Sequence, residues 1–288
     1  MQILKLIITL FIGSYAAFSQ AQSSVWKVEA EGGNYLYIGG TVHVLSADDF
    51  PLPAEFDEAF NDSDILVLET DMARMNAPEF QTQALMAMMY MDGRTLQNVL
   101  SPEVYAKLEA YLAEKGLSAM SMNMMTAGGM TLTLTMLELQ SMGINMQGVD
   151  AFYDRIAREK GMGIDMFETP EEQLAFLSGL GEGNEDEVIT YTLEDMAELP
   201  AMMEQLTAAW RAGDLDKLDE LMLGEMEAEF PEIFQTIFLE RNRRWMPKIE
   251  QMLETEPVES VFVGAGHLAG ENGLINLLSE LGYRVEQL

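Results

Sequence analysis

The chain has no cysteine, only two histidines in 288 residues, and 16 basic residues against 48 acidic ones. Each shortage excludes something. Without cysteine there is no disulfide, no thiol nucleophile and no lipid-modified cysteine at an export cleavage site. A formal charge of −32 disfavours nucleic acid and anionic lipid as partners. There is no His-Glu-x-x-His zinc helix, no Gly-x-Ser-x-Gly elbow and no phosphate-binding Gly-x4-Gly-Lys loop. Beyond the N-terminus no stretch approaches the roughly 18 uninterrupted apolar residues of a membrane helix.

The N-terminus itself reads as an export signal. A short, weakly basic start is followed by the mostly apolar run 6–18 and then by small residues, the layout of a cleaved leader. Residues 1–21 are expected to be the signal peptide and 22–288 the mature domain, with cleavage after Ala21 or Ser23. A periplasmic or secreted product, soluble and without stable membrane insertion after cleavage, follows. The other reading of this segment is an uncleaved anchor.

Apolar residues make up 48% of the chain, enough for a substantial core. Residues 25–29 and 34–39 read as strands around a Gly32-Gly33 turn. Residues 53–61 read as a helix and 64–69 as a buried, parallel strand. Helical periodicity fills 77–91, 102–115 and 119–141. A further helix, 150–160, precedes a strand over 163–168 and a capping box at Thr169 and Glu172. An acidic helical region covers 185–223, a helix 230–253, and the chain closes with strand 260–263, helix 273–281 and strand 283–288. The pattern predicts a mixed α/β fold, a central sheet with a helical insertion in the middle of the chain. Two echoes, Ile38-Gly-Gly-Thr-Val-His43 with Val261-Phe-Val-Gly-Ala-Gly-His267 and Leu68-Glu69-Thr70 with Phe167-Glu168-Thr169, suggest a pseudo-symmetric αβ arrangement. The 24 methionines cluster in Met72 to Met91 and Met120 to Met146, and the run Met86 to Met91 sits inside an apolar helical pattern. Core packing is the leading reading for them, with Cu(I) handling through thioethers as the other.

The chemistry concentrates in few residues. His43 and His267 each follow a strand in a Gly-x-x-His turn, the place where open α/β sheets bind ligands, and imidazole is a common metal ligand. Glu69 ends an apolar run, where a carboxylate is costly unless it is paired or ligates metal. It can ligate, act as a general base or serve as a structural acid. Glu168 competes for the same role, but its context resembles a helix start. Arg241 shares a helix face with Arg244 and Trp245. It can clamp a carboxylate or stabilise an oxyanion, although spacing alone favours a surface pair with Glu240, Glu232 or Glu250.

Trp26-Lys27-Val28, Tyr37-Ile-Gly-Gly-Thr-Val-His-Val-Leu45, Val67-Leu-Glu-Thr70, Gln147-Gly-Val-Asp150, Phe167-Glu-Thr-Pro-Glu-Glu-Gln-Leu174, Glu240-Arg-Asn-Arg-Arg-Trp245 and Val263-Gly-Ala-Gly-His267 together resemble the TraB/PrgY/GumN family, whose relatives include the TIKI metalloproteases. The resemblance spans residues 25–288. It implies a divalent-metal-dependent hydrolase, a peptidase by its TIKI relatives, with manganese or cobalt favoured and zinc possible. His43, His267 and Glu69 would hold the metal; Glu69, Arg241 and His267 would carry catalysis. Gly40, Thr41, Gly264 and Asn242 would support substrate and site, with Glu168 and Asp150 behind them. A peptide is the implied partner. A non-catalytic peptide- or inhibitor-binding protein on the same scaffold, or a methionine-based copper protein, are the alternatives.

Overall fold

The computed structural model describes residues 22–144 and 148–288. The expected signal peptide, residues 1–21, and Gln147 lie outside the described residues. Six strands form one mixed sheet: β1 (Val25–Glu29), β2 (Tyr35–Thr41), β3 (Ile65–Leu68), β4 (Gly163–Met166), β5 (Glu259–Gly264) and β6 (Arg284–Gln287), in the order β4-β3-β5-β2-β1-β6. β1 and β2 make the expected antiparallel hairpin. β6 extends it, antiparallel to β1. The other four are mutually parallel, β4 on β3, β3 on β5 and β5 on β2. The mixed α/β class expected from the sequence is the one found.

β5 is buried along almost its whole length because helices cover both faces of the sheet, which suits its near-continuous apolar run. Its residues alternate between two cores. Phe262 joins Phe56, Tyr153 and Trp210 on one face, with ring centroids 5.2–6.2 Å apart. Val261 and Val263 join Trp245, Ile249 and Leu278 on the other. The first core is closed by α1 (Ala54–Asp62), α5 (Val149–Lys160) and α8 (Leu199–Ala212). The second is closed by α10 (Glu240–Met252) and α11 (Leu274–Glu280). A third apolar cluster has no strand in it: α3 (Pro102–Glu114), α4 (Ala127–Ser141) and α7 (Glu185–Asp195) pack on one another. The remaining long helices are α2 (Pro78–Ala87), α6 (Pro170–Ser178) and α9 (Leu215–Met222).

Three local expectations are corrected. The helix expected over 119–141 is broken. Met89 pairs across to Met125 as an isolated antiparallel bridge, and Thr126 then caps α4 by accepting from the Gly129 N–H at 3.0 Å. The acidic region 185–223 is three helices. Pro200 opens α8, and Gly213, at φ 60°, ends it. The methionines divide: Met86, Met91, Met120 and Met124 are exposed, while among the described residues Met130, Met196 and Met246 are buried and Met72, Met122, Met125 and Met136 pack against the cores. α2 buries Phe80 alone.

Candidate functional site

Four parallel strands running the same way bring their carboxyl ends to one edge of the sheet. β2 leads to His43, β3 to Glu69, β4 to Glu168, and β5, through the 3₁₀ turn Ala265–His267, to His267. Parallel register sets Leu68 beside Met166 and Thr41 beside Gly264, and Glu168 N–H donates to Glu69 O at 2.9 Å. The last contributor is α10. Its apolar stripe, Trp245 and Ile249, faces the sheet and turns Arg241 and Asn242 inward one turn earlier. A π-helical turn, Gln235–Leu239, leads straight into α10.

One point on the backbone shows how closely these groups converge. A methyl placed on Gly264 would lie 3.2 Å from Glu69 Oε1, 3.4 Å from His43 Nε2 and 3.7 Å from His267 Cδ2. The two histidines, 224 positions apart in the chain, therefore border one small space with Glu69. Gly264 N–H donates to Glu69 Oε1 at 2.7 Å. Trp210 Nε1 donates to Gly40 O at 2.7 Å and holds the end of β2 in place.

Each imidazole has its Nδ1 engaged by an oxygen. His43 Nδ1 lies 2.7 Å from Asp150 Oδ2, while Thr41 Oγ1 donates to Asp150 Oδ1 at 2.7 Å. Asp150 reaches them because the start of α5 is pressed on the loop after β2. Val149 N–H donates to Val42 O at 3.0 Å, and a Cβ on Gly148 would fall 2.3 Å from Val42 O. His267 Nδ1 lies 2.7 Å from Asn242 Oδ1, and its ring is packed 4.4 Å from Trp245 and 5.1 Å from Phe238. An acceptor held against one ring nitrogen fixes the tautomer and leaves the lone pair of the other for a metal.

The charges are unevenly exposed. The His43 side chain is 62% open to solvent, and Asp150 raises its pKa to about 9. His267 is buried, and burial pushes its pKa down to about 3, so it stays neutral. Burial alone would raise Glu69, but the surrounding positive charge of His267, Arg241 and His43 and the Gly264 N–H hold it well below the ordinary carboxylate range. With His267 neutral, Arg241 and the protonated His43 carry most of that effect, with the Gly264 N–H behind them. Arg241 is itself buried. Its Nη2 donates to Glu69 Oε2 at 2.5 Å, its Nε to both oxygens of Glu168 at 3.0 Å, and its Nη1 to His267 Nε2 at 3.0 Å. The surface partners expected for it, Glu240, Glu232 and Glu250, are replaced by two buried carboxylates. Glu168 also accepts from Arg244 at 2.8 Å and from Trp245 Nε1 at 3.1 Å, so it holds α10 to β4.

Two imidazoles and a carboxylate around one point suit a divalent transition ion. The arrangement is one contact short of a ligand set: His267 Nε2 faces the guanidinium of Arg241, and among the described residues no three His, Asp or Glu side chains form a metal-holding group. Sequence reasoning missed Gln173, whose Nε2 donates to Glu69 Oε2 at 3.1 Å, and Phe238. Gln173 lies one turn past the Thr169 cap, a position with no signal of its own.

A family model described as the TraB/PrgY/gumN family matches residues 24–287. The chain is similar to "Metalloprotease TIKI1" of Xenopus tropicalis, 25% identical over 324 residues, covering 93% of this chain and 62% of that protein. It is similar to "Metalloprotease TIKI1" of Homo sapiens at 24% over 325 residues, with 93% and 62% covered. It is also similar to "Uncharacterized protein YbaP" of Escherichia coli K12, 23% identical over 251 residues, covering 86% and 89%. The chain thus spans less than two thirds of the length of the TIKI relatives. No solved structure gives a significant match.

Proposed function

This chain belongs to the TraB/PrgY/gumN family, and from that membership we propose that it is an exported metal-dependent hydrolase that cuts peptides. The observation that carries the reading is the convergence of His43 Nε2, Glu69 Oε1 and His267 on the space beside Gly264. The metalloprotease name of the TIKI relatives supports the reaction class. Export rests on the residue pattern of 1–21; among the described residues no helix is long and apolar enough to cross a membrane.

His43, Glu69 and His267 would hold a divalent ion, which when bound lowers the pKa of a water and polarises a carbonyl. For His267 to take part, Arg241 Nη1 has to leave its Nε2. The same movement frees a guanidinium N–H for a substrate carbonyl or the negative charge that grows on it. Glu69 is held ionised, the form that ligates a cation, and its lowered pKa suits it to ligation rather than to proton transfer. His43 is the open side of the site, so a peptide enters there. Trp245 and Phe238 keep water from the far side of His267.

The test is element analysis of the purified protein with a peptide-library cleavage screen, on the wild type and on His43→Ala and Glu69→Gln. Bound divalent ion and cleavage in the wild type, both lost in the variants, is the expected result. Undiminished cleavage in the variants would sink the reading. One observation favours a second reading, a peptide-binding protein without turnover: Arg241 caps His267 Nε2. That reading expects tight peptide binding and no cleavage with any divalent ion supplied.

A further inference from the structure

We propose that the methionine-rich surface beside α6 is a docking groove for cationic amphipathic peptides, the substrate class of the site described above. The proposal rests on the peptidase reading for the word substrate, and on its own observations for the groove.

The isolated bridge between Met89 and Met125 joins two methionine-bearing segments far apart in the chain. Tyr90 N–H donates to Met124 O at 2.8 Å and Thr126 N–H to Met88 O at 2.9 Å, so Met89 and Met125 form the non-hydrogen-bonded pair, whose side chains approach most closely. Around this bridge Leu85, Met86, Met91 and Met124 stand exposed, Met91 by 70%. Such a patch on a folded surface marks an interaction site, and unbranched thioethers adapt to varied apolar partners.

A cleft of about 550 Å³ opens beside the patch, between this loop and the C-terminal end of α6. Its apolar wall includes Met89, Met91 and Leu180, and its rim carries Asp92, Glu182 and Glu185. The one cation there, Arg94, is neutralised by Asp92 at 2.8 Å and lies over the Tyr90 ring. The chain as a whole is at −32. Exposed methionines beside an acidic-rimmed, largely polar cleft, in a strongly negative field, select a peptide with an apolar face and basic flanks, and reject an acidic one. The groove is tied to the site through α6. Gln173 touches Glu69 and Phe176 faces Arg241, while Ala175 and Ser178 line the cleft.

The experiment is fluorescence anisotropy and cleavage with three labelled peptides: an amphipathic helix of Leu and Lys, the same peptide with Glu for Lys, and the same with Ser for Leu. The wild type should bind the Leu/Lys peptide, more weakly as salt rises, and neither control. Met86→Ser with Met91→Ser and Met124→Ser should weaken binding roughly tenfold. Glu182→Gln with Glu185→Gln should weaken it several-fold and flatten the salt dependence. His43→Ala should keep the binding and lose the cleavage. Equal binding of the Glu peptide, or no change in the methionine triple variant, would overturn the groove, as would a wild-type dimer that the triple variant dissolves. Binding that follows these patterns without cleavage by the wild type would leave the groove standing and remove the peptidase reading.

Discussion

Asn242 fixes which nitrogen of His267 carries the proton. Its Nδ2 donates to two carbonyls, His267 O at 3.1 Å and Asn272 O at 2.9 Å, so Oδ1 is the atom turned to the ring, and Nδ1 must be the protonated nitrogen. Nε2 is then the free lone pair, and Arg241 donates to it. Asn242→Leu removes the acceptor and both donors. It is expected to lower metal affinity and peptide turnover about 10–100-fold, and stability by about 1–3 kcal/mol for the orphaned carbonyls. Metal titration and urea unfolding of the variant check both halves. Unchanged metal affinity would show that the tautomer is not set here.

The Asp150 contact makes a pH prediction for His43. Its pKa is raised from 6.5 to about 9. A raised histidine pKa stabilises the fold fully below 6.5, and that contribution is lost as pH rises through 9. Protons also compete with a cation for Nε2, so cation affinity should climb across the same window. Nuclear magnetic resonance titration of the metal-free protein reads the ring directly. Asp150→Asn should bring the midpoint back towards 6.5; a midpoint already near 6.5 in the wild type would contradict the ion pair.

How much of this was legible in the sequence follows from how local each signal is. His43, His267 and Glu69 each close an apolar run and could be picked out singly, because strand ends leave a local mark. The parallel pairing that brings them together was implied by the strand–helix–strand spacing. Arg241 was different. Spacing offered neighbours on its own helix, yet its partners Glu69 and Glu168 lie 172 and 73 residues away. Only the packing of α10 on the sheet decides which face of that helix turns inward. Asp150, 107 residues from His43, stood in a recognisable run without any local hint of its partner. Met86, Met91, Met120 and Met124 misled for a related reason: helical apolar spacing looks the same whether the stripe meets a core, as it does at Met130, or solvent.

Arg241 bridges two buried carboxylates, of which Glu168 alone has a second arginine, Arg244. Arg241→Met leaves Glu69 and Glu168 without it and should cost about 3–5 kcal/mol. Adding Glu69→Gln to that variant should recover part of the loss, because Glu69 is the carboxylate left without a guanidinium while Glu168 keeps Arg244. Denaturant midpoints for the two variants test the coupling; additive losses would mean that the three groups do not act together.

Glu259 opens β5 at the opposite end of the sheet from the site. It is buried, and its Oε2 has no hydrogen-bond partner. Burial raises its pKa from 4.5 to about 7, with Asp64 and Asp165 adding to the rise. For an acid with a raised pKa, the native state binds more protons than the unfolded chain between the two values. Stability is therefore highest below 4.5 and declines as pH rises to about 7. Glu259→Gln should be nearly neutral at pH 4.5 and stabilising by on the order of 1–3 kcal/mol at pH 8. An equal effect at both pH values would remove Glu259 from the account.

Gly264 offers the sharpest test of the shared space, because its backbone sits at φ −51° and ψ 134°, a conformation open to any residue. Gly264→Ala therefore adds a methyl without straining the chain. That methyl would stand 3.2 Å from Glu69 Oε1 and 3.4 Å from His43 Nε2, in the gap a ligand has to fill. The unfolding midpoint should move by only about 1 kcal/mol equivalent, the low end for an added methyl, since the pinned Glu69 carboxylate has to give no more than a few tenths of an ångström. Cation binding and peptide cleavage should fall by at least about a hundredfold, the cost of displacing reacting groups by an ångström. A variant that folds as well as the wild type yet neither binds nor cleaves places the chemistry in this gap. One that keeps full activity moves it elsewhere.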